Sequence, residues 1–416
     1  MKPTIFVLFG ATGDLAVKKI FPALETLYDE GVISFNSRII GVSRREWNDT
    51  QFLSHIGTFK SDFTKHISYS RVDIDHEIGY GELYGEIENI KRKNPGAEVI
   101  VYLSLAPRYQ AKTIESLAKE KILTRGGTKL LIEKPFGTDE KSAKALDTLL
   151  LSLLDESQIY RIDHYLGKDT VMAIMNLHES TENFSLILSR ENISQIRLRL
   201  FETKGIEGRG ASYDHVGAFR DVGQNHMLEM LAVLCADVPR KSWQTARANV
   251  LKHLTPPAKT CELSHRGQYE GYKGEIGVRP DSEIETAFEI TTSLSAGKLA
   301  GVPLILEAGK KMPVAEVFVE IKFKKTLGLP KRMLFNVQPK REIVIEYSDG
   351  KRDTFEIPKT DDAYANVIRA AVFGQLHEFV GREEIETLWK YTDHVVACWD
   401  KVPLQIYGEN KPFLIE

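Results

Sequence analysis

The chain opens with a strand, a glycine-containing turn and a helix, and this order restricts the fold more than any other feature. Thr4–Phe9 is apolar and carries β-branched residues, which is typical of a buried parallel strand. The turn FGATGDLA follows it, and then leucine and isoleucine recur at helical spacing until Gly31. A strand that passes through such a turn into a helix predicts the first βαβ unit of a parallel sheet.

The rest of the chain changes its hydrophobic period once. Arg38–Val42, Ile100–Leu105 and Lys129–Ile132 read as further strands that alternate with helical stretches. Beyond residue 185, segments such as SQIRLRLFE and AEVFVEIKFK alternate apolar and polar residues, as antiparallel strands with one wet face do. We therefore predict an α/β plus α+β protein. A Rossmann-type parallel-sheet domain over 1–163 precedes a larger domain over 164–416 with a big antiparallel sheet and helices.

Composition excludes several classes of function. The 416 residues are 42% hydrophobic and 27% charged, with a net charge of −3, so nothing favours nucleic acid or an anionic membrane as partner. No run approaches the ~20 apolar residues of a membrane span, and the N-terminus lacks a signal-peptide pattern. The three cysteines are too far apart in sequence for a zinc cluster, and a reduced compartment is their simpler interpretation. We expect a cytoplasmic enzyme or binding protein without a bound metal.

The opening turn predicts a nucleotide site. A glycine turn between strand and helix offers backbone N–H groups and a helix dipole to a pyrophosphate. The strand after it ends in GVSRRE, where an NAD site usually has an acidic residue for the ribose. Arg44 there suits a 2′-phosphate, so we expect NADP, with NAD as a second acceptor. Arg44 and Arg45 as ordinary surface charges remain the alternative. The predicted coenzyme residues of the turn are Gly10, Ala11, Thr12, Gly13, Asp14, Leu15 and Ala16.

Two further stretches carry candidate charged residues. In LLIEKPFG, Lys134 ends a strand on the side where such domains open towards substrate, although a strand-end lysine is also commonly solvated. In YRIDHYLGKDTV, His164 and Lys168 share one face if a helix begins there, which suits a phosphate; Asp163 could orient a histidine. A plain capped helix start, with Asp163 as N-cap, is the alternative for this stretch.

The stretch AFRDVGQNHMLEML adds a candidate base. Asp221, Gln224, Asn225 and His226 come ahead of a predicted helix whose apolar positions belong to the core. Histidine titrates nearest neutral pH, so His226 is the natural acceptor of a hydroxyl proton while hydride leaves the same carbon. A carboxylate paired with it would fix its orientation. A structural histidine is the alternative.

Together these stretches resemble one known family. FGATGDLA, IEKPFG, RIDHYLGKD, FRDVGQNHMLEML, GVPLILEAGK and DAYANVIRAAVFG occur in the order found in glucose-6-phosphate dehydrogenases, along nearly the whole chain. The resemblance implies oxidation of the C1 hydroxyl of glucose 6-phosphate to the 6-phosphogluconolactone, with NADP taking the hydride. It also implies a homodimer or homotetramer that pairs through the large sheet.

The resemblance assigns roles to single residues. It implies His226 as general base, Asp163 as its orienting carboxylate, and Lys134 between substrate and nicotinamide, before a cis proline. It implies that the substrate is bound by His164, Tyr165, Lys168, Glu202, Asp221, Lys310 and Gln338. The coenzyme site matches Gly10 through Ala16, Arg44 and Lys134.

Some positions depart from the family pattern. Glu307 stands where an arginine is usual, and AGKLAGVP lacks two tryptophans. No convincing basic cluster indicates a second, structural NADP site. A related oxidoreductase that acts on another sugar or sugar phosphate remains the alternative function.

Overall fold

The structure is a computed structural model that describes residues 2–180, 182–237, 242–255, 261–325, 328–360, 362–408, 411 and 413. The chain divides into two compact units. The first contains Met1–Gly167 and Asp361–Arg382, and the second contains Lys168–Thr360 and Glu383–Glu416. The domain boundary predicted from the sequence, at 163/164, stays a prediction. It does not include the segment Asp361–Arg382, which lies near the end of the chain and belongs to the first unit.

The strands form two sheets. In chain order they are β1 Thr4–Phe9, β2 Arg38–Ser43, β3 Ile67–Arg71, β4 Glu98–Leu103, β5 Thr128–Glu133, β6 Ile159–Ile162, β7 Ile193–Phe201, β8 Ser264–Tyr269, β9 Ala287–Thr292, β10 Leu304–Gly309, β11 Glu316–Phe323, β12 Arg332–Gln338, β13 Glu342–Glu346, β14 Arg352–Glu356 and β15 Leu404–Tyr407. The first six belong to one sheet and the other nine to the second.

The helices lie between these strands. They are α1 Phe21–Asp29, α2 Asp49–Ile56, α3 Ser61–Thr64, α4 Tyr80–Lys93, α5 Pro107–Lys119, α6 Glu140–Leu153, α7 Asp169–Ser180, α8 Glu182–Ile187, α9 Gly210–Tyr213, α10 Leu228–Cys235, α11 Trp243–Lys252, α12 Ala363–Phe373 and α13 Arg382–Cys398. Two π-helices, Ala16–Ile20 and Phe219–Met227, run directly into α1 and α10. Short 3₁₀ turns are Glu156–Gln158, Tyr272–Gly274 and Trp399–Lys401.

The first unit confirms the predicted parallel sheet. Its strands have the order β3-β2-β1-β4-β5-β6, and every neighbouring pair is parallel. The β4 strand ends at Leu103, two residues before the predicted end. Buried side chains of the sheet, of α1 and of the returning helix α12 form one hydrophobic cluster, so residues 363–373 complete the core of this unit.

The second unit is built on a mixed sheet. Its order is β14-β13-β12-β11-β7-β10-β9-β8-β15, and most neighbouring strands are antiparallel as predicted. Two pairs are parallel instead, β7 with β10 and β8 with β15. The parallel pair β7–β10 puts the carboxyl ends of both strands at the same edge of the sheet, which decides where the residues after them lie.

The cysteines differ from the expectation of a reduced chain. Cys261 and Cys398 form a disulfide across 137 residues of sequence, and Cys235 is a free thiol. Their distance in sequence gave no sign of pairing, because the fold alone brings the end of α13 to the segment before β8. The Pro-containing stretch HLTPPAKT, for which the sequence predicts a loop, has its positions 256–260 outside the described residues.

The helices of the described residues are too short or too polar to span a membrane.

Candidate active site

The glycine turn of the first unit lines a cavity of about 280 Å³. Gly10 has a φ of +73°, and a Cβ there would lie 2.1 Å from the carbonyl oxygen of Ser104, so only glycine fits. The N–H of Gly13 donates to the carbonyl of Gly10 at 2.9 Å, which closes the turn. The cavity is therefore formed by the turn itself and by the carboxyl ends of neighbouring strands, where ligands bind in open parallel sheets.

The predicted coenzyme residues fall into two groups. Gly10, Thr12, Gly13 and Arg44 line the cavity. The others do not: Ala11 and Ala16 are buried in the core, Leu15 packs against it, and Asp14 is exposed and pairs with Lys18 at 2.7 Å. The buried alanines let the helix pack close to the sheet, so they shape the turn without contacting a ligand there.

One arginine of the GVSRRE stretch lines the cavity and the other does not. Arg44 is exposed at its wall, whereas the guanidinium of Arg45 lies over the ring of Trp47 at 4.6 Å. Arg108, the second residue of α5, adds another cation to the wall, and Asp75 lies there as well. Arg108 was not among the residues predicted from the sequence, although it lies just after β4, where a parallel sheet opens to ligand.

The strand that leads to Lys134 ends on a buried carboxyl group. Glu133 is 5% exposed and accepts a hydrogen bond from the Tyr102 hydroxyl. Burial raises the pKa of Glu133 to about 7, while Tyr102 and Lys134 act in the opposite direction. The peptide bond from Lys134 to Pro135 is cis, as the resemblance implies.

The DHYLGK stretch does not begin a helix. Helix α7 starts at Asp169, and residues 164–167 form a turn, so the helical-face argument for His164 and Lys168 is wrong. Asp163 is no helix cap either: its buried carboxylate accepts the backbone N–H of Tyr165 at 2.9 Å. Asp side chains often accept hydrogen bonds from nearby backbone N–H groups and so stabilise a turn in place of a helix. The spacing of residues along the sequence does not show which of the two forms.

In the second unit, three charged side chains meet at one edge of the sheet. Glu202 and Lys310 each follow a strand of the parallel pair β7–β10, and the Lys310 ammonium lies 2.6 Å from the Glu202 carboxylate. The same ammonium lies 3.3 Å from the carboxylate of Asp221 and 5.3 Å from the ring centre of Tyr213. Lys310 is 3% exposed, so a buried cation holds two carboxylates that remain partly open to solvent.

Asp221 and His226 belong to a helix, rather than to a segment ahead of one as the sequence predicted. Both lie in the π-helix Phe219–Met227, five residues apart, which is the hydrogen-bond period of this helix type. The buried side chain of Asn225 donates to the carbonyls of Arg220 and Asp221 at 3.1 Å and accepts the His226 N–H at 2.8 Å. Single π-helical turns occur often at functional sites.

Lys168 and Gln338 lie elsewhere in the second unit. Lys168 immediately precedes α7, and its carbonyl accepts the N–H of Met172. Thr170 of that helix donates to the carbonyl of Asn336 in β12 at 2.8 Å. Gln338 ends β12 at the same edge of the sheet as Glu202, two strands away from β7.

Comparison with known proteins identifies the family. Residues 7–173 match the family description "Glucose-6-phosphate dehydrogenase, NAD binding domain", and residues 175–412 match the C-terminal domain of the same enzyme. The chain belongs to the glucose-6-phosphate dehydrogenase family. The glucose-6-phosphate 1-dehydrogenase of Helicobacter pylori strain J99 is 32% identical over 97% of this chain and 96% of its own length. That of Bacillus subtilis is 29% identical over 95% of this chain and 91% of its own length.

Solved structures agree with this family. A glucose-6-phosphate dehydrogenase in complex with its substrate superposes with a TM-score of 0.88 and 26% identity, covering 99% of this chain and 96% of that one. The enzyme from Mycobacterium avium gives 0.85 and 28%, over 98% and 94%. A 3-ketoreductase from Actinomadura kijaniata shares the fold alone, with a TM-score of 0.57 and 15% identity over 99% of this chain and 100% of that one.

Proposed function

We propose that this member of the glucose-6-phosphate dehydrogenase family oxidises the C1 hydroxyl of glucose 6-phosphate to the 6-phosphogluconolactone. Hydride leaves C1 and the hydroxyl proton leaves O1, giving lactone, NADPH and one proton. The reaction is the first step of the oxidative pentose phosphate pathway. The observation that carries the proposal is the group Glu202, Asp221 and Lys310 at the β7–β10 edge, with His226 on the π-helix of Asp221.

The charged group suits sugar recognition. Carboxylates accept hydrogen bonds only, so Glu202 and Asp221 can each receive a sugar O–H. Lys310 fixes both carboxylates before substrate arrives, which lowers the ordering cost of binding. Gln338, which has both donor and acceptor atoms, is a further substrate contact in the proposal.

His226 accepts the proton from the C1 hydroxyl in this scheme. A positioned base contributes about 10²–10⁴-fold in rate. Asp163 orients the imidazole and stabilises the imidazolium that forms. The π-helix supports this role because the Asn225 side chain links the backbone of Arg220, Asp221 and His226 through three hydrogen bonds.

The coenzyme end of the first unit fits NADP. A Cβ at residue 10 would collide with backbone, and the cavity at this turn carries the cation Arg44 where a 2′-phosphate is expected. When bound, NADP supplies the hydride acceptor. Gly10, Thr12, Gly13 and Arg44 hold it in the proposal, and Lys134 lies between it and the sugar.

The phosphate of the substrate is bound by His164, Tyr165 and Lys168 in this proposal. A phosphomonoester is close to a dianion at neutral pH, so a lysine and two neutral or cationic donors suit it. Orientation of two reactants can contribute about 7–11 kcal/mol to catalysis, and a distant anionic anchor is one way to obtain it.

A coenzyme-by-sugar activity grid tests the function. NADP and NAD are each combined with glucose 6-phosphate and with glucose, and reduced coenzyme is followed by absorbance. We expect the highest kcat/KM with glucose 6-phosphate and NADP. Faster turnover of glucose, or of another sugar, would instead support the alternative oxidoreductase.

The base is tested by His226→Asn. Because the variant keeps the size of the side chain and removes the proton acceptor, kcat should fall about 10²–10⁴-fold while the KM for glucose 6-phosphate changes little. His265→Asn, at an exposed histidine of β8, is the matched control and should keep wild-type kinetics. A large rise in KM with intact kcat would contradict the role of His226.

Two finer assignments, the oligomeric state and the cellular location, belong to the same proposal. We propose a homodimer or homotetramer that pairs through the nine-stranded sheet, and sedimentation velocity of the wild type and of Phe318→Asp, a variant in β11, tests this. A protein that sediments as a monomer would contradict this. We also propose a cytoplasmic location, which cell fractionation tests.

A further inference from the structure

The returning helix α12 reaches the same turn that contains the proposed phosphate ligands of the first unit. The ring of Tyr364, a residue of this helix, stacks on the imidazole of His164, with ring centres 5.2 Å apart and ring planes 15° from parallel. The Asn366 side chain donates to the carbonyl of Gly167 at 3.1 Å. A Cβ at Gly167 would lie 2.8 Å from the carbonyl oxygen of Ala363, so backbone and helix are in close contact there.

The position of α12 is itself fixed at both ends. Asp362 caps its first turn by accepting the N–H of Tyr364 at 3.0 Å. The same carboxylate pairs with Lys19 at 3.0 Å, in the π-helix that follows the glycine turn. At the other end, the Lys129 ammonium donates to the carbonyls of Ala371 and Val372 at 2.9 and 3.0 Å. A helix held in this way can fix what it touches.

We propose that Tyr364 and Asn366 are positioning residues for substrate phosphate, Tyr364 by holding the imidazole plane of His164 and Asn366 by holding the turn at Gly167. The proposal rests on the proposed function. A ring stacked on the face of an imidazole fixes the direction of the two ring nitrogens, which lie in the imidazole plane and are the only atoms that can donate to phosphate.

The chemistry of Tyr364 fits a neutral stacking partner. Its side chain is 7% exposed, and burial together with the carboxylates Glu133 and Asp163 raises its pKa above the ordinary value. The hydroxyl therefore stays protonated at neutral pH and places no negative charge beside a ligand of the phosphate. Aromatic contact is the property that the position requires.

Replacement of the ring tests the proposal. For Tyr364→Leu we expect the kcat/KM for glucose 6-phosphate to fall about 3- to 10-fold, mostly in KM, as expected for loss of one aromatic pair. The kcat/KM for glucose, which has no phosphate, should stay within twofold. Tyr364→Phe keeps the ring and should restore the preference for the phosphorylated sugar. The KM for NADP should not change.

Controls separate positioning from a general loss of packing. Ile368→Ala removes a side chain of the same helix that is buried in the hydrophobic cluster of the first unit, and it should lower stability while leaving the ratio of the two kcat/KM values unchanged. Asn366→Ala removes the donor to Gly167 and should lower that ratio in the same direction as Tyr364→Leu. It provides a second reading if the leucine variant does not fold.

The possible outcomes are distinct. Equal losses with both sugars, or no loss in either Tyr364→Leu or Asn366→Ala, would overturn the positioning role. If the wild-type protein forms no NADPH with glucose 6-phosphate, the proposed function itself fails, and that result is visible before any variant is made.

Discussion

At the scale of single residues, Glu307 shows how a departure from the family pattern is compensated. Its carboxylate contacts the guanidinium of Arg199, its cross-strand neighbour on β7, at 2.6 Å and that of Arg197 at 3.0 Å. The side chain is 9% exposed, so an unpaired carboxylate there would be costly. The sequence revealed only that a positive charge was missing, whereas the structure shows two positive charges on the adjacent strand.

Arg44 carries the first prediction at this scale. Arg44→Ala should raise the KM for NADP about 10- to 100-fold, because charge-assisted hydrogen bonds to the 2′-phosphate are lost. The KM for NAD, which lacks that phosphate, should change less than about threefold. Steady-state kinetics with both coenzymes measures the difference.

Arg45→Ala is the matched control, since the Arg45 guanidinium lies over Trp47. It should leave both KM values near those of the wild type. Equal weakening of NADP and NAD by Arg44→Ala would remove Arg44 from 2′-phosphate recognition.

At the scale of secondary structure elements, the start of the π-helix depends on a buried carboxyl group. Glu285 accepts the N–H of Phe219, the first residue of this helix, at 3.0 Å. Gly217 precedes it with a φ of +78°, and a Cβ there would lie 2.4 Å from the Glu285 carboxylate. The helix that carries Asp221 and His226 is therefore anchored by a residue far along the chain, which no local spacing predicts.

Glu285 also predicts a pH dependence of stability. Burial raises its pKa to about 7 from an ordinary 4.5. A carboxyl with a raised pKa in the fold stabilises the protein fully below pH 4.5, and this contribution is lost as the pH rises through 7. Glu285→Gln keeps an accepting oxygen and cannot ionise. Between pH 5 and pH 8 the free energy of unfolding should fall less in Glu285→Gln than in the wild type. The two decreases should differ by on the order of 1–3 kcal/mol.

Urea unfolding at a series of pH values measures this difference. Glu283→Gln, at an exposed carboxylate two residues away, is the control and should keep the wild-type slope. A slope that is unchanged in Glu285→Gln would mean that this carboxyl group does not take up a proton in the folded protein.

At the scale of the whole molecule, distant parts of the chain complete both units. The first unit needs α12, whose buried residues share a cluster with α1 and the parallel sheet. In the second unit, Trp399 packs against Phe219 of the π-helix and Phe288 of β9, with ring centres 5.6 and 6.3 Å apart. A single domain boundary along the sequence could not show that a later segment returns to complete an earlier unit. The hydrophobic pattern of a segment indicates which of its faces is buried, but it does not indicate which other segment that face packs against.

The disulfide gives a prediction at the same scale. It joins Cys261 to Cys398 and closes a long loop, so it restricts the unfolded chain. Cys398→Ser should lower the free energy of unfolding by about 2–5 kcal/mol. Thermal unfolding without and with dithiothreitol measures this, and reductant should lower the midpoint of the wild type only.

Cys235→Ser is the control, because this free thiol forms no part of the disulfide and burial raises its pKa to about 12, which keeps it protonated. A wild type whose unfolding is indifferent to reductant, and equal to Cys398→Ser, would contradict a stabilising bond.

The sequence by itself determined the features that depend on neighbouring residues. Hydrophobic period predicted the parallel sheet and the change to mostly antiparallel strands, the motifs predicted the family, and the glycines of FGATGDLA predicted the turn between β1 and the first helix. Each of these follows from steric and burial preferences within a few residues.

Only the tertiary structure decided which distant groups meet. The parallel pairing of β7 and β10 brings Glu202 to Lys310, and the return of α12 brings Tyr364 to His164. The helical start expected at His164 was wrong because a local hydrogen bond from Tyr165 to Asp163 replaces it. Contacts between residues a hundred or more positions apart depend on how whole elements pack, and single-chain periodicity contains no information on that.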